Sequence, residues 1–517
     1  MKTKDNAMTA APQPEHPEHT PSEPEVPGAY CPISPFRTIL VELGLKSRRY
    51  TLIFFLAILV GALAGLVGAT FQILVVHVMK WLSLTTAFFN STEFRTLVET
   101  WLAHAIGPKT ATSIVSAVPS LPWLPSTVLC ALMVTLAFTL TKRFAPEASG
   151  SGVQEIEGAL EYIRPLRWRK VLPIKFIGGV LSLGSGMVLG REGPTIQLGG
   201  NLGEMISEMF GLDKDNAHIL IASGAGAGLG AAFNAPLAGI LFVVEEMRPQ
   251  FHYNFLSVQC VVAACAAADI VLRMFTGQEA DMAMTHFAAP SLGSLALFAI
   301  FGGMFGIFGY VFNFLLVRTL DAFDFIRARA AIAFRMAIGG MIGFLAWAMV
   351  DIVGGGYAVI PKVLNFEYTP NMLLFLFAAR FLATMICYGS GAPGGIFAPM
   401  LALGTLFGMW FGHYATTYFP NIVAHAEIFT VAGMGALFAA TVRAPLTGII
   451  LVVEMTMNYA LILPLIVTCM AASVISEGLG GKPVYSILLE RTLRITNSVK
   501  SSNADAECAP EQEDDSH

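Results

Sequence analysis

The chain has 517 residues, 55% hydrophobic and only 13% charged, with a mean hydropathy of +0.64. Soluble domains carry about 25% charged residues, so this composition excludes a mainly soluble protein and describes a polytopic membrane protein. The formal net charge of −5 is set by the ends, since residues 36–495 hold 25 acids against 28 bases, and no basic stripe suggests nucleic acid.

Residues 1–35 contain eight prolines and no apolar run. They read as a disordered tail and not as a signal peptide. Lys46, Arg48 and Arg49 stand just before the first apolar span, which places the amino end in the cytoplasm. Residues 36–49 read as a short amphipathic helix. Thr51–Trp81 is a long apolar segment whose GALAGLVGA run suits close helix packing. Residues 82–122 read as a loop with short helices, and Trp123–Thr141 as the next span.

Phe144–Lys170 is polar, with a basic cluster at Arg164, Arg167, Arg169 and Lys170 that suggests a cytoplasmic face. Leu172–Leu189 and His218–Val244 are apolar runs. Further spans are expected at about 254–275, 291–318, 330–353, 371–388, 396–418, 426–441, 444–456 and 460–478. The segments 426–441 and 444–456 are short of the about 20 helical residues that cross a bilayer, so half-spanning helices are expected. Five of the seven cysteines lie in apolar stretches and none forms a CxxC pair. Free thiols are expected, with neither a disulfide framework nor a zinc site.

The stretch Gly184–Gly203 (GSGMVLGREGPTIQLGGNLG) carries Arg191 and Glu192 inside apolar sequence, with seven glycines and Pro194. Charges in hydrocarbon are costly and usually functional, and a helix broken at membrane depth survives only inside protein or along a cavity. The stretch recurs at Gly389–Gly408 (GSGAPGGIFAPMLALGTLFG), with eight identities in twenty, and NAPLAGILFVVE at Asn234–Glu245 recurs as RAPLTGIILVVE at Arg443–Glu454. Two halves with matched broken segments are the pattern of a transporter whose site lies at the repeat interface. Glu192 aligns with Phe397, so the halves share a scaffold but divide the chemistry.

Three Gly-rich breaks, Gly150-Ser151-Gly152, Gly190–Pro194 and Gly394–Pro399, each precede a predicted helix start. Helix N-termini offer unpaired N–H groups and about half a positive charge. Several aimed at one point would bind an anion without a cationic side chain. Lys175 is a lone intramembrane cation, read equally as a source of positive potential or as the partner of an acid. No serine sits in a G-x-S-G pattern with a histidine partner, so an intramembrane serine hydrolase is not supported. The scattered histidines do not suggest metal ligands, and no cofactor is expected.

The segments GSGVQEIEGAL (150–160), GREGP (190–194) and GGIFAP (394–399), with Tyr485 in GKPVYS (481–486), resemble the CLC family of chloride channels and proton-coupled chloride antiporters, the bacterial exchangers in particular. The resemblance runs from about 50 to 495. It implies an all-α polytopic fold of two inverted-topology repeats with tilted and half-spanning helices, assembled as a homodimer in the bacterial inner membrane with both termini cytoplasmic. The first repeat is then about 50–275, the second about 291–478, and a final cytoplasmic helix about 480–495, with 496–517 an acidic disordered tail.

The resemblance also implies roles. Ser151 and Tyr485 would place hydroxyls on a central chloride together with the amides of Ile396 and Phe397. The amides of Gly190, Arg191, Glu192 and Gly193 would line an outer anion site. Glu192 would be the gate, competing with the anion and released by protonation, and Glu246 would take protons from the cytoplasm. A carboxylate at Glu246 favours proton-coupled antiport, with a passive voltage- or pH-gated chloride channel as the alternative. Glu157 and Glu245 are secondary candidates that would tune Glu246. Ser151 implies chloride over nitrate, and GREGP with Tyr485 implies chloride over fluoride. One departure is Gln154, where the family motif usually has proline. About 30 residues follow Tyr485, fewer than the about 50 a domain needs, so no nucleotide-binding regulatory domain is expected. Partners are then chloride, protons, the lipid bilayer and a second copy of the chain.

Overall fold

The computed structural model describes residues 35–117, 121–247, 253–278, 282, 284, 287 and 290–507. The chain divides into two units, residues 1–49 and residues 50–517, and the second contains every candidate site residue. Cys31, Cys508, Arg248 and most of the amino-terminal tail lie outside the described residues.

Helices account for the described residues in chain order. α1 (Pro35–Phe89) is followed by two short helices, α2 (Thr92–Ile106) and α3 (Pro108–Ala117). Next come α4 (Leu124–Phe144), α5 (Val153–Leu160), α6 (Trp168–Gly184), α7 (Glu192–Met209), α8 (Lys214–Phe233), α9 (Pro236–Glu245) and α10 (Phe255–Thr276). The second half holds α11 (Leu295–Ala348), α12 (Val359–Leu364), α13 (Pro370–Gly389), α14 (Phe397–Tyr418), α15 (Glu427–Val442), α16 (Pro445–Thr456) and α17 (Ile462–Gly478), and α18 (Val484–Glu507) closes the chain. Six helices among the described residues are long and apolar enough to cross a membrane. The protein is an integral, multi-pass membrane protein.

Local sequence sets the helix ends. Asp213 caps α8 by accepting from the Asn216 amide at 3.3 Å, and Asn254 and Ser257 form a reciprocal capping box at the start of α10. α8 ends where Asn234 turns left-handed at φ 53°, and Pro236 opens α9 at a position that lacks an N–H partner in any helix. The apolar run His218–Val244, expected as one segment, is therefore two helices.

Three other expectations change. Residues 36–49 are helical but are the first part of α1 and not a separate helix. The spans expected at 291–318 and 330–353 are two apolar segments of one continuous helical run, α11, which bends sharply between them: Phe323 and Phe334 bring their ring centroids to 4.9 Å, where a straight helix would put residues eleven apart about 16 Å from each other. The polar residues between them, DAFDFIRARA, lower hydropathy without supplying the Gly or Pro that stops a helix. The final helix runs on to Glu507, past the boundary at residue 495, because the first proline after Pro483 is Pro510.

The repeats pack alike. A Cβ on Gly199 of α7 would run into the carbonyl of Gly224 of α8, and one on Gly404 of α14 would run into that of Gly433 of α15. Small residues let both helix pairs approach to backbone contact, the packing that substitutes for a hydrophobic driving force in lipid. Left-handed turns also recur at Gly150 and Gly354, Gly152 and Gly356, Tyr162 and Phe366, Gly186 and Gly391, and Asn234 and Arg443. The repeat thus begins upstream of the segments that sequence identity reveals.

The halves meet across a local dyad. Gly190 donates to Gly395 O and Gly395 donates to Gly190 O, each at 2.7 Å, in an isolated antiparallel bridge between equivalent positions of the two repeats. Glu245, at the end of α9, accepts from Leu446 N (2.9 Å) and Thr447 N (2.7 Å) at the start of α16. Its repeat mate Glu454, in α16, accepts from Leu237 N (3.1 Å) and Ala238 N (2.8 Å) at the start of α9. Each carboxylate satisfies the orphan amides of the other repeat's helix and meets the positive end of its dipole.

Candidate anion and proton sites

The three Gly-rich breaks come together at this dyad. Gly394 N donates to Gly150 O at 2.9 Å, and Gly150 N donates to Ala392 O at 3.2 Å, alongside the Gly190–Gly395 bridge. The approach needs glycine: a Cβ on Gly395 would lie 2.9 Å from Gly193 N, and one on Gly193 would lie 3.0 Å from the Ser151 Cα. Helices α5, α7 and α14 therefore begin around one point, and their first-turn N–H groups lack partners within the helix.

Two hydroxyls join them. Ser151 and Tyr485 are fully buried and near enough to act on each other, but neither hydroxyl oxygen makes a hydrogen bond of ordinary geometry. Burying a polar group without a partner costs about 1–3 kcal/mol, which is the expense of a site made for something other than protein. Tyr485 stacks on Phe397 at 5.8 Å between ring centroids, with an interplanar angle of 22°. The ring of Phe397 also contacts Phe233, Phe242 and Phe438, so the first residue of α14 is locked in an aromatic cage. Ile396 and Phe397 are fully buried.

Glu192 is fully buried at the start of α7. Its Oε2 accepts from Ala398 N at 3.3 Å, and its Oε1 accepts from the Tyr357 hydroxyl. The carboxylate of one repeat thus lies on the N-terminal turn of the other. Arg191 donates from Nε to Ala232 O at 3.1 Å and places its guanidinium 4.5 Å from the centre of the Tyr357 ring.

Lys175 places its charge at the turn that presents Ser151, with Glu155 as an electrostatic neighbour. It is fully buried and donates to Ala148 O (3.0 Å) and Gly150 O (2.7 Å), which braces the turn that presents Ser151. On the other side of that turn is a cavity of ≈ 380 Å³ lined by Gly150, Gln154, Tyr388, Arg164, Arg167 and Arg491, among others. Gln154 leaves its Oε1 without a partner there. The arginines are held by Glu155, Glu147 and the pair Asp321 and Asp324, respectively.

A second group of acids is separate from the first. Glu246 follows α9, is buried, and leaves Oε1 unpartnered, and Glu157 of α5 is buried with both oxygens unpartnered. The charges of Glu157, Glu245 and Arg443 act on Glu246, while Tyr485 senses both Glu246 and Glu157. Sequence position groups Glu245 with Glu246, but the Glu245 carboxylate is engaged by the start of α16. Among the described residues no His/Cys/Asp/Glu cluster has the makings of a metal site. Cys130, Cys260, Cys265, Cys387 and Cys469 are buried free thiols.

Tyr357 and Arg380 are not among the expected site residues. The signal for Tyr357 is the run Gly354-Gly355-Gly356, the mate of Gly150-Ser151-Gly152 in the first repeat, and the signal for Arg380 is a charge inside the apolar span 371–388.

Comparison with known proteins agrees with this architecture. Residues 133–477 match the family described as voltage gated chloride channel. The H(+)/Cl(-) exchange transporter ClcA of Vibrio cholerae is 49% identical over 447 residues, covering 86% of this chain and 90% of that protein. The ClcA of Klebsiella pneumoniae is 46% identical over 456 residues, covering 87% and 91%. The structure of a slow cyanobacterial Cl-/H+ antiporter superposes with a TM-score of 0.79 at 43% identity, covering 86% of this chain and 99% of that one. A eukaryotic CLC transporter shares the fold, with a TM-score of 0.63 at 18% identity over 85% and 74% of the two chains. The chain belongs to the voltage gated chloride channel, or CLC, family.

Proposed function

We propose that this protein is a proton-coupled chloride antiporter of the bacterial cytoplasmic membrane. One observation carries the reading: the Glu192 carboxylate accepts an amide of the opposite repeat, at the convergence of three helix starts. A carboxylate and a chloride suit the same positive pocket, so each displaces the other. Protonation removes the attraction of Glu192 for the amide and frees the position for an anion. Anion occupancy and proton uptake are then alternatives at one place, which is the coupling an exchanger needs.

The remaining roles follow. Ser151, Tyr485 and the amides of Ile396 and Phe397 hold the central chloride, and the amides of Gly190, Arg191, Glu192 and Gly193 line the outer site. Glu246 takes protons on the cytoplasmic side, with Glu157 beside it. The unpartnered oxygens of Ser151, Tyr485, Glu157 and Glu246 support these assignments. Chloride and protons are substrates, and no catalytic group or cofactor has a part. The family resemblance supports a homodimer with one pore per subunit, cytoplasmic termini, and repeats of about 50–275 and 291–478.

The test is flux in proteoliposomes. Glu192→Ala is expected to leave chloride flux without pH dependence, and Glu246→Ala to leave chloride flux while removing coupled proton movement. A steep pH dependence retained in Glu192→Ala would place the gate elsewhere. Coupled proton movement retained in Glu246→Ala would remove that residue from the pathway.

A further inference from the structure

The segment that follows α11 reaches over the Glu192 carboxylate from the second repeat. Its backbone is fixed from below by Arg380, a fully buried residue of α13. Arg380 donates from Nη1 to Asp351 O (2.7 Å) and Val353 O (3.2 Å), and from Nη2 to Gly354 O (2.7 Å). Gly354 N also donates to Gly186 O at 2.8 Å, which ties the segment to the first repeat. Gly354 and Gly356 are left-handed, at φ 73° and 109°, a geometry that disfavours any residue with a Cβ. The turn then delivers Tyr357, whose hydroxyl donates to Glu192 Oε1 and whose ring lies under the Arg191 guanidinium.

The geometry points to Tyr357 as a latch on the gate: its hydroxyl holds the Glu192 carboxylate in the closed position on the Ala398 amide, and Arg380 holds Tyr357 in place. The inference rests on Glu192 being the gate. Tyr357 is a positioning residue, since it acts through Glu192. It selects the charged form, because a hydroxyl already donating to a carboxylate loses that acceptor when the acid protonates and swings away. Opening the gate thus requires breaking the hydrogen bonds that Tyr357 and the Ala398 amide donate, together with the contact to the Glu192 backbone amide.

The other charged and titratable groups around this point are few. Arg191 precedes Glu192 and stacks on the latch, and Arg380 lies behind it with Asp351 and Lys362 beyond. α8 brings Phe233 and α14 brings Phe397 and Ala398, none of them titratable, while Tyr485 lies on the far side of Phe397. Arg191 is the charged group that acts on Glu192.

The experiment measures chloride flux against pH in proteoliposomes for wild type, Tyr357→Phe, Glu192→Gln and the double variant. Tyr357→Phe removes one oxygen and keeps the ring that stacks on Arg191. A hydrogen bond to a charged group shifts the closed–open balance by about tenfold or more. The flux profile of Tyr357→Phe is therefore expected to move about one pH unit toward alkaline pH, with flux rising at the pH where wild type is nearly closed. In the Glu192→Gln background, Tyr357→Phe is expected to change nothing further. A Tyr357→Phe profile that overlies wild type overturns the latch. So does an equal effect of Tyr357→Phe with and without Glu192, which would make Tyr357 a pore-lining residue. A steep pH profile in Glu192→Gln itself strikes the gate reading, and the latch falls with it.

Discussion

Ser151 and Tyr485 are polar groups that the fold buries near each other without a hydrogen bond of ordinary geometry to the protein. If chloride is their partner, removing either hydroxyl has two opposite effects. In chloride-free buffer, Ser151→Ala and Tyr485→Phe are expected to melt at or above the wild-type temperature, because an unsatisfied buried group is worth about 1–3 kcal/mol against the folded state. Added chloride is expected to raise the melting temperature of the variants less than that of wild type, since ligand stabilisation follows affinity. A variant that melts lower without chloride and gains as much from it as wild type does would assign the hydroxyls to structure. These two residues are legible in sequence because their motifs are local and specific. Tyr357 is not: its contact with Glu192 spans 165 positions, and the glycine run before it carries no chemistry of its own. Lys175 is legible as a buried cation, but its partners are backbone carbonyls, which sequence does not display.

At the scale of elements, α9 and α16 each lend a carboxylate to the other's N-terminus. Glu245→Ala and Glu454→Ala are each expected to destabilise the fold by about 0.5–2 kcal/mol, the range for lost N-terminal caps, read as a lower melting temperature in detergent. A large loss for one and none for the other would contradict a reciprocal device. The loop that carries Tyr357 offers a pH test outside the membrane-spanning helices. Burial is the largest influence on Asp351 and opposes its ionisation, but the hydrogen bond from Lys362 at 2.7 Å, the Lys362 and Arg380 charges and Tyr368 together outweigh it and hold the carboxyl below its ordinary value of 3.8. A depressed acid stabilises the fold above that ordinary value and loses the contribution as pH falls through its folded value. Lys362→Met is therefore expected to be less stable than wild type at neutral pH, by less than about 1 kcal/mol for so exposed a pair. The gap closes as the pH drops below 3.8; a gap that persists in acid would mean that packing, not charge, holds the loop.

Sequence identity reveals the repeats only where side chains recur, at 184–203 with 389–408 and at 234–245 with 443–454. Upstream, the repeats share left-handed turns more than residues: GSGVQEIEGALEY and GGGYAVIPKVLNF have two glycines, one isoleucine and one leucine in common, with no contiguous motif, yet both turn at the same places. Hydropathy divides α11 at the charges of residues 321–329, and the chain bends there, with the rings of Phe323 and Phe334 packed at 4.9 Å, although the backbone stays helical. Backbone conformation is fixed by steric demand at a few positions, and a reading built on side-chain pattern passes over it.

For the whole molecule, the two acidic groups matter together. Glu192 lies at the dyad on an amide of the second repeat, and Glu246 lies apart with Glu157, with Tyr485 in electrostatic reach of both Glu246 and Glu157. A pore that only conducted would have no use for the second group, whose burial is unfavourable. The most direct test loads proteoliposomes with chloride, clamps the membrane potential near zero and records external pH as chloride runs down its gradient. The account predicts protons moving uphill against the chloride flux, to an extent set by the chloride gradient. Chloride flux with no proton movement in the wild-type protein would contradict it.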